Sequence, residues 1–217
     1  MKSMKHLIFS IMFIMSICTS SSILGAEKIK VACVGNSITE NSALSQAEKY
    51  PSILQSLMGD DYEVRNYGIG GRTLLKKGDY PYWNETRYQE VLNWNPDIVI
   101  IKLGTNDSKS QNWAYKSEFE SNYIEFINSF KNLSSSPTVY ICKPLPAYAN
   151  TMNIKGSVIA DEILPKIEAI GTQTSVQVID LYSALEGKPS YLYDGVHPNV
   201  FGTTVMANVI YKTLNPA

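Results

Sequence analysis

Five apolar segments recur along the chain, and stretches with helical spacing of apolar residues separate them. The apolar segments are Ile29–Val34, Tyr62–Asn66, Asp97–Leu103, Thr138–Cys142 and Val176–Asp180. Most of them are nearly continuous in hydrophobic residues, as expected for strands of a parallel sheet with both faces covered. Helices are predicted over Tyr50–Met58, Thr86–Asn93, Ser117–Lys131, Ser157–Ile170 and Val200–Leu214. This alternation predicts a three-layer α/β fold with a parallel sheet.

Several details refine this pattern. The third predicted helix carries an apolar stripe that we expect to pack against the sheet, formed by Phe119, Tyr123, Phe126, Ile127 and Phe130. Pro165 lies inside the fourth predicted helix and predicts a kink or break there, while Pro198 suits the first turn of the last helix. The longest stretch without a predicted element, Gly68–Glu85, is rich in Gly, Tyr and Trp, and a loop of that length is usually functional.

The first 26 residues have the layout of a secretory signal peptide. Basic residues precede an apolar run from Leu7 to Ile17, and small polar residues follow it. An uncleaved membrane anchor is the less favoured alternative, because a spanning helix needs about 20 apolar residues. We expect cleavage after Ala26, export to the periplasm or the medium, and one domain over residues 27–217 with no stable membrane span.

Composition excludes several classes of function. The 217 residues carry a formal net charge of −1, so a broad basic face for nucleic acid is not expected. The expected mature chain contains two cysteines, Cys33 and Cys142, both inside predicted strands. Export permits a disulfide, but we interpret both as small buried hydrophobic residues. With one histidine left and no Cys/His cluster, neither a zinc site nor another cofactor is predicted.

Four short motifs fall at the carboxyl ends of predicted strands or just before the last helix. They are Gly35–Thr39, Asn66–Thr73, Leu103–Asp107 and Asp194–Asn199. In an open parallel sheet the ligand crevice lies beyond the carboxyl ends of the strands. We therefore expect the four motifs to converge, although they span most of the chain.

Their side chains are the types that acyl transfer requires. His197 is the one imidazole of the expected mature chain, and Asp194, three residues earlier, can fix its tautomer. Ser37 follows a glycine at the end of a strand and is the candidate nucleophile. Each residue also has an ordinary structural explanation: a surface or structural histidine and a turn serine.

An oxyanion needs preorganised hydrogen-bond donors. The Gly70–Gly71 pair can present a backbone N–H without a side chain in the way, and Asn106 supplies an amide donor. Taken singly, these residues fit a flexible turn and a helix cap. Their coincidence at the ends of successive strands favours a hydrolase over those separate explanations.

In block order and spacing the chain resembles the SGNH (GDSL-type) hydrolases, a superfamily of serine esterases and lipases. The resemblance implies a flavodoxin-like fold with five parallel strands in the order 2-1-3-4-5. It also implies Ser37 as nucleophile, His197 as base, Asp194 as its partner, and an oxyanion hole from the Ser37 N–H, the Gly71 N–H and Asn106. One departure is Asn36, which replaces the aspartate of the usual G-D-S block and can keep a hydrogen bond but not the charge.

The substrate is predicted from fewer signals. Candidate contacts are aromatic or hydrogen-bonding residues near the motifs: Tyr67, Arg72, Trp83, Asn112 and Trp113. Such surfaces suit sugars, although tryptophan and tyrosine also serve as partly buried core residues. Similarity to exported bacterial carbohydrate esterases favours an O-acetylesterase acting on a small ester or an acetylated glycan. A lysophospholipase or thioesterase and a non-catalytic glycan-binding protein remain alternatives.

Overall fold

A five-stranded parallel sheet organises the chain. The computed structural model describes residues 27–149 and 151–215, and the predicted signal peptide lies outside them. The strands are β1 (Ile29–Gly35), β2 (Tyr62–Gly68), β3 (Ile98–Lys102), β4 (Thr138–Cys142) and β5 (Gln177–Ile179). Every neighbouring pair is parallel and the order is β2-β1-β3-β4-β5, which confirms the predicted fold class.

Helices cover both faces of the sheet. They are α1 (Ser37–Glu40), α2 (Tyr50–Met58), α3 (Thr86–Trp94), α4 (Ser110–Trp113), α5 (Phe119–Lys131), α6 (Gly156–Val158), α7 (Leu164–Thr174), α8 (Leu181–Leu185) and α9 (Val200–Leu214). Short 3₁₀ turns lie at Gln46–Glu48, Tyr82–Asn84, Asn106–Ser108, Lys116–Glu118, Thr151–Asn153 and Pro189–Tyr191. Within the described ranges, none of these helices has the length and apolarity needed to cross a membrane.

Alternate residues of each strand enter two different cores. Ala32 and Val34 of β1 pack with α3, α5 and α7, whereas Val31 and Cys33 pack with α2, α8 and α9. The predicted stripe of α5 is fully buried in the first core, which confirms its orientation. Both faces of the sheet are covered because helices lie on each side, and this explains the nearly continuous apolar sequence of the strands.

The two described cysteines behave as predicted. Cys33 and Cys142 are buried and unpaired, on strands that face the second core. Burial raises the pKa of the Cys33 thiol to about 12, and burial likewise raises the pKa of Cys142. Both thiols are therefore neutral at physiological pH and lack nucleophilic thiolate character.

The helix prediction is corrected at two prolines, Pro165 and Pro198. A π turn, Ile159–Ile163, directly precedes α7, and Pro165 lies in the first turn of that helix. The chain stays helical through this region because the wider π turn makes room for the proline ring, which has no N–H to donate to the preceding turn. Pro198 lies before the last helix and not in its first turn, because Asn199 caps α9 by accepting from the N–H groups of Phe201 and Gly202.

Candidate active site

Ser37 lies immediately beyond β1, at the first position of α1. Asn36 caps this short helix by accepting a hydrogen bond from the N–H of Ile38 at 3.1 Å. The cap keeps the hydrogen bond expected of this position, with an amide in place of a carboxylate. Gly35 is required for the sharp turn, since an added Cβ would lie 2.1 Å from the hydroxyl of Thr39. These contacts present Ser37 at the carboxyl edge of the sheet.

A chain of hydrogen bonds connects Ser37 to the loop before α9. Its Oγ lies 2.8 Å from Nε2 of His197, and Nδ1 of His197 lies 2.6 Å from Oδ2 of Asp194. The other carboxylate oxygen of Asp194 accepts from the N–H groups of Val196 at 2.9 Å and His197 at 2.7 Å. With a proton on Nδ1, the imidazole presents a free electron pair to the Ser37 hydroxyl.

The setting of Asp194 favours its ionised form. Partial burial acts to raise the pKa of this carboxyl, but hydrogen bonds from the backbone and ring of His197 and from Val196 outweigh it and lower the pKa. On the other side, the ring of Tyr193 stacks on the imidazole with centroids 5.7 Å apart. Two neighbours therefore fix the plane of the His197 ring.

A buried asparagine ties the serine turn to the histidine loop. Nδ2 of Asn41 donates to the carbonyl of Pro198 at 2.9 Å, across 157 residues of sequence. Asn41 ends α1 with φ of 40°, a left-handed conformation that asparagine tolerates better than most residues. Nothing in the sequence singles out Asn41, because an asparagine in a polar turn carries no signal of a long-range contact.

The Leu103–Asp107 motif is hydrogen-bonded to the Asn66–Thr73 motif and the two residues after it. Nδ2 of Asn106 donates to the carbonyl of Arg72 at 3.0 Å. The carboxylate of Asp107, which is fully buried, accepts from the N–H groups of Leu74 and Leu75 at 3.0 and 2.8 Å. Burial raises the pKa of Asp107 to about 6, although these two N–H bonds partly oppose the rise. Asn106 is thereby held beside the glycine turn.

The two adjacent glycines of the Asn66–Thr73 motif differ in how strictly their positions require glycine. Gly71 has φ of 80°, in the left-handed region, while an added Cβ would meet nothing within 4 Å. At Gly70 an added Cβ would lie 2.9 Å from a carboxylate oxygen of Glu40, at the end of a flexible side chain that can move aside. The backbone conformation therefore requires glycine at position 71, whereas Gly70 is the one that lies beside Ser37, whose Cβ would be 3.9 Å from an added Cβ.

These groups open onto one cavity of about 340 Å³. Its lining includes Ser37, Gly71, Asn106 and His197, while Asp194 lies behind the imidazole. The remaining lining residues are Glu40, Ser42, Gly70, Thr105, Lys109, Met152, Ile154, Tyr193 and Val196. Several of these were not predicted. Thr105, Tyr193 and Val196 lie in or beside the motifs, whereas Lys109, Met152 and Ile154 carry no sequence signal and come from connecting segments.

None of the five predicted substrate contacts lines this cavity, and their contact with a substrate stays a prediction. Tyr67 is buried against the first core, and Trp113 packs edge-on to Phe119 with centroids 5.3 Å apart. Buried Asn112 donates to a carboxylate oxygen of Asp79 at 2.9 Å. Asn112 and Trp113 hold the loops together, whereas Tyr67 also lines a neighbouring cavity along β2.

The other two are also engaged elsewhere. Trp83 donates its ring N–H to the carbonyl of Leu74 at 2.7 Å and packs against the aromatic core. The Nε of Arg72 forms an ion pair with Glu85 at 2.8 Å. Neither side chain is among the lining residues of the cavity, although Nη1 of Arg72 donates to the carbonyl of Gly70, which is one of them.

Comparisons with known proteins identify the family of the chain. Residues 33–205 match the model of the GDSL-like lipase/acylhydrolase family. The chain belongs to this family. Membership confirms the predicted resemblance. Among the residues that the structure covers, no group of three or more His, Cys, Asp or Glu side chains is arranged to hold a metal ion.

One curated relative is an acetylxylan esterase from Xylanibacter ruminicola, 39% identical over 204 residues. The match covers 85% of this chain and 42% of the relative, so the chain spans about two fifths of that protein's length. Solved structures share the fold. A carbohydrate acetylesterase from Sinorhizobium meliloti aligns with a TM-score of 0.70 at 18% identity, over 86% of this chain and 98% of that one. An acetylxylan esterase from Geobacillus stearothermophilus aligns with a TM-score of 0.66 at 19% identity, over 87% and 95%.

Proposed function

We propose that the protein is a serine esterase that removes acetyl groups from carbohydrates. The observation that carries this proposal is the hydrogen-bonded chain from Ser37 through His197 to Asp194 at the wall of a cavity. In the first step the Ser37 Oγ attacks the acyl carbonyl carbon, and His197 Nε2 takes the hydroxyl proton. The carbonyl oxygen becomes an oxyanion, which accepts hydrogen bonds from the N–H groups of Ser37 and Gly71 and from Asn106.

The intermediate then collapses. The bond between the acyl carbon and the alcohol oxygen breaks, and His197 gives its proton to the departing alcohol. Water repeats the sequence on the acyl-enzyme: His197 removes a proton from water, hydroxide adds to the carbonyl, and Ser37 leaves with the proton. The products are a carboxylic acid and the free alcohol, and the enzyme returns to its starting state.

A short acyl group and a polar alcohol fit the cavity better than a lipid. Its volume of about 340 Å³ is small, and the charged residues Glu40 and Lys109 contribute to its lining. Burying a long acyl chain against such groups would desolvate them without compensation. The similarity to the Xylanibacter relative, an acetylxylan esterase, supports the same substrate class.

Three measurements test this proposal. We expect hydrolysis of p-nitrophenyl acetate well above that of the octanoate, release of acetate from acetylated xylan or a related polysaccharide, and covalent labelling by a fluorophosphonate. Ser37→Ala should abolish labelling and lower kcat by about 10⁴-fold or more. Octanoate turnover equal to or above acetate turnover would favour a lipid-directed acyl hydrolase. Unchanged turnover by Ser37→Ala would disprove the mechanism.

A further inference from the structure

A second cavity adjoins the catalytic one. It has a volume of about 620 Å³ and shares Glu40 and Ser42 with the cavity of Ser37. It follows the outer edge of β2, the edge strand of the sheet, along Val64–Gly68. We call this cavity the β2 groove. Because Ser42 is exposed and shared, a ligand can extend from the catalytic cavity into the groove along the protein surface.

Side chains already cover the edge of β2 within the groove. Oε1 of Gln55 accepts from the N–H of Val64 at 2.7 Å, and Nη1 of Arg87 donates to the carbonyl of Asn66 at 3.1 Å. Such coverage blocks the addition of another strand, which is the usual hazard of an edge. The groove is therefore suited to a ligand that bonds to side chains and not to one that pairs with the backbone of β2.

The lining is dense in hydrogen-bonding groups of both kinds. Its charged and amide side chains are Glu40, Gln46, Lys49, Arg65, Asn66, Arg87 and Glu90. No hydrogen bond or ion pair engages the Lys49 ammonium in the part of the chain that the structure describes, so its donors are open to a ligand. The Arg65 guanidinium stacks on the ring of Trp94 at 4.2 Å, which holds it in place. Donors and acceptors are mixed along the groove, a pattern that suits a neutral polyhydroxylated ligand.

We propose that the β2 groove binds the sugar residues next to the acetylated sugar of a glycan chain, an inference that rests on the proposed function. Sugar hydroxyls need several donors and acceptors at once, and desolvated polar groups that lose a partner lower affinity. The groove offers such groups and adjoins the cavity where the ester is cleaved. It therefore makes the enzyme more efficient on a chain than on an isolated acetylated sugar.

Chain length and single substitutions test this subsite. With acetylated mono- to pentasaccharides of xylose, the kcat/KM of the wild type should rise with length. In Lys49→Ala and Arg87→Ala, kcat/KM on the longest substrate should fall about tenfold, mainly through KM, relative to p-nitrophenyl acetate. Arg87 also covers the β2 edge, so its substitution could disturb the strand. The Lys49 ammonium has no partner among the described residues, so Lys49→Ala tests ligand binding alone.

A cavity of equal volume supplies the control. It is also about 620 Å³, lies on the far side of buried Ile154, and includes Lys155. Lys155→Ala should leave the length dependence unchanged. If the wild type cleaves acetylated oligosaccharides but Lys49→Ala and Arg87→Ala change the selectivity less than twofold, the subsite is wrong and the proposed function stands. If the wild type cleaves p-nitrophenyl acetate but no acetylated glycan, the carbohydrate assignment itself fails.

Discussion

Two aspartates of the motifs, Asp107 and Asp194, perform the same local task in different surroundings. Each accepts hydrogen bonds from two backbone N–H groups of a loop at the carboxyl edge of the sheet. Asp194 is partly exposed and contacts the imidazole of His197, whereas Asp107 is fully buried. Accordingly the pKa of Asp194 is lowered and that of Asp107 is raised to about 6.

The two carboxylates differ in burial and in contact with an imidazole, and these differences separate a structural role from a role in the reactive site. Backbone N–H groups stabilise both carboxylates, but at Asp107 they do not compensate for the loss of water. At Asp194 the imidazole adds a third donor, and partial exposure reduces the cost of the charge. We therefore expect substitutions of Asp194 to affect turnover and those of Asp107 to affect stability.

Asp194→Asn should have the largest effect. The amide oxygen can still accept from the loop N–H groups, but the amide N–H₂ faces Nδ1 of His197 and favours the tautomer with a proton on Nε2. That tautomer cannot accept the proton of Ser37, so kcat should fall about 10³–10⁴-fold. Steady-state kinetics on p-nitrophenyl acetate measure this loss.

The matched observation is stability. The midpoint of urea unfolding should shift little in Asp194→Asn, since the residue is partly exposed and the loop bonds persist. A large loss of folding free energy together with only a small loss of kcat would contradict the division of roles between the two aspartates.

Asp107→Ala should have the next largest effect, on stability. It leaves the N–H groups of Leu74 and Leu75 buried without acceptors, which should lower the free energy of unfolding by about 3 kcal/mol. Urea unfolding at pH 7 measures this change. Activity per folded molecule should fall by less than that of Asp194→Asn, because Asp107 is buried away from the cavity.

The meeting of these motifs could be predicted because each is local in sequence and falls at a strand end or just before the last helix. Parallel topology brings such ends to one edge, so the convergence of Ser37, Asn106 and His197 could be expected from their positions in the sequence. The order of the strands followed from the family resemblance and not from periodicity. Apolar runs show which segments are strands, but they do not show which strands are neighbours.

The residues that surround a substrate could not be predicted in the same way. Trp83 and Trp113 are of the residue type that stacks on sugars. The packing of the loop after β2 and of α4 nevertheless places them against α5. Conversely, Lys109 and Ile154 reach the cavity from connecting segments whose paths depend on tertiary contacts. Side-chain direction in loops is a property of packing, and periodicity carries no information about it.

The pH dependence of stability gives the finest comparison between the two aspartates. The folded-state pKa of Asp107, about 6, lies above its ordinary value of 3.8, so between these values the folded protein binds the proton more tightly. The contribution of this group to stability is therefore full below about pH 4 and is lost as the pH rises to about 6. The loss should amount to about 2–3 kcal/mol.

Asp107→Asn tests this directly, because the amide oxygen can accept from Leu74 and Leu75 but does not titrate. In urea unfolding between pH 4 and pH 7, the free energy of unfolding of the variant should increase relative to that of the wild type as the pH rises. Asp194 must behave oppositely, because its pKa is lowered. Its contribution to stability is present when the pH is above the ordinary pKa of 3.8, and it is lost as the solution becomes more acidic. If the stability difference between wild type and Asp107→Asn stays constant across this range, the buried carboxyl is not the titrating brace inferred here.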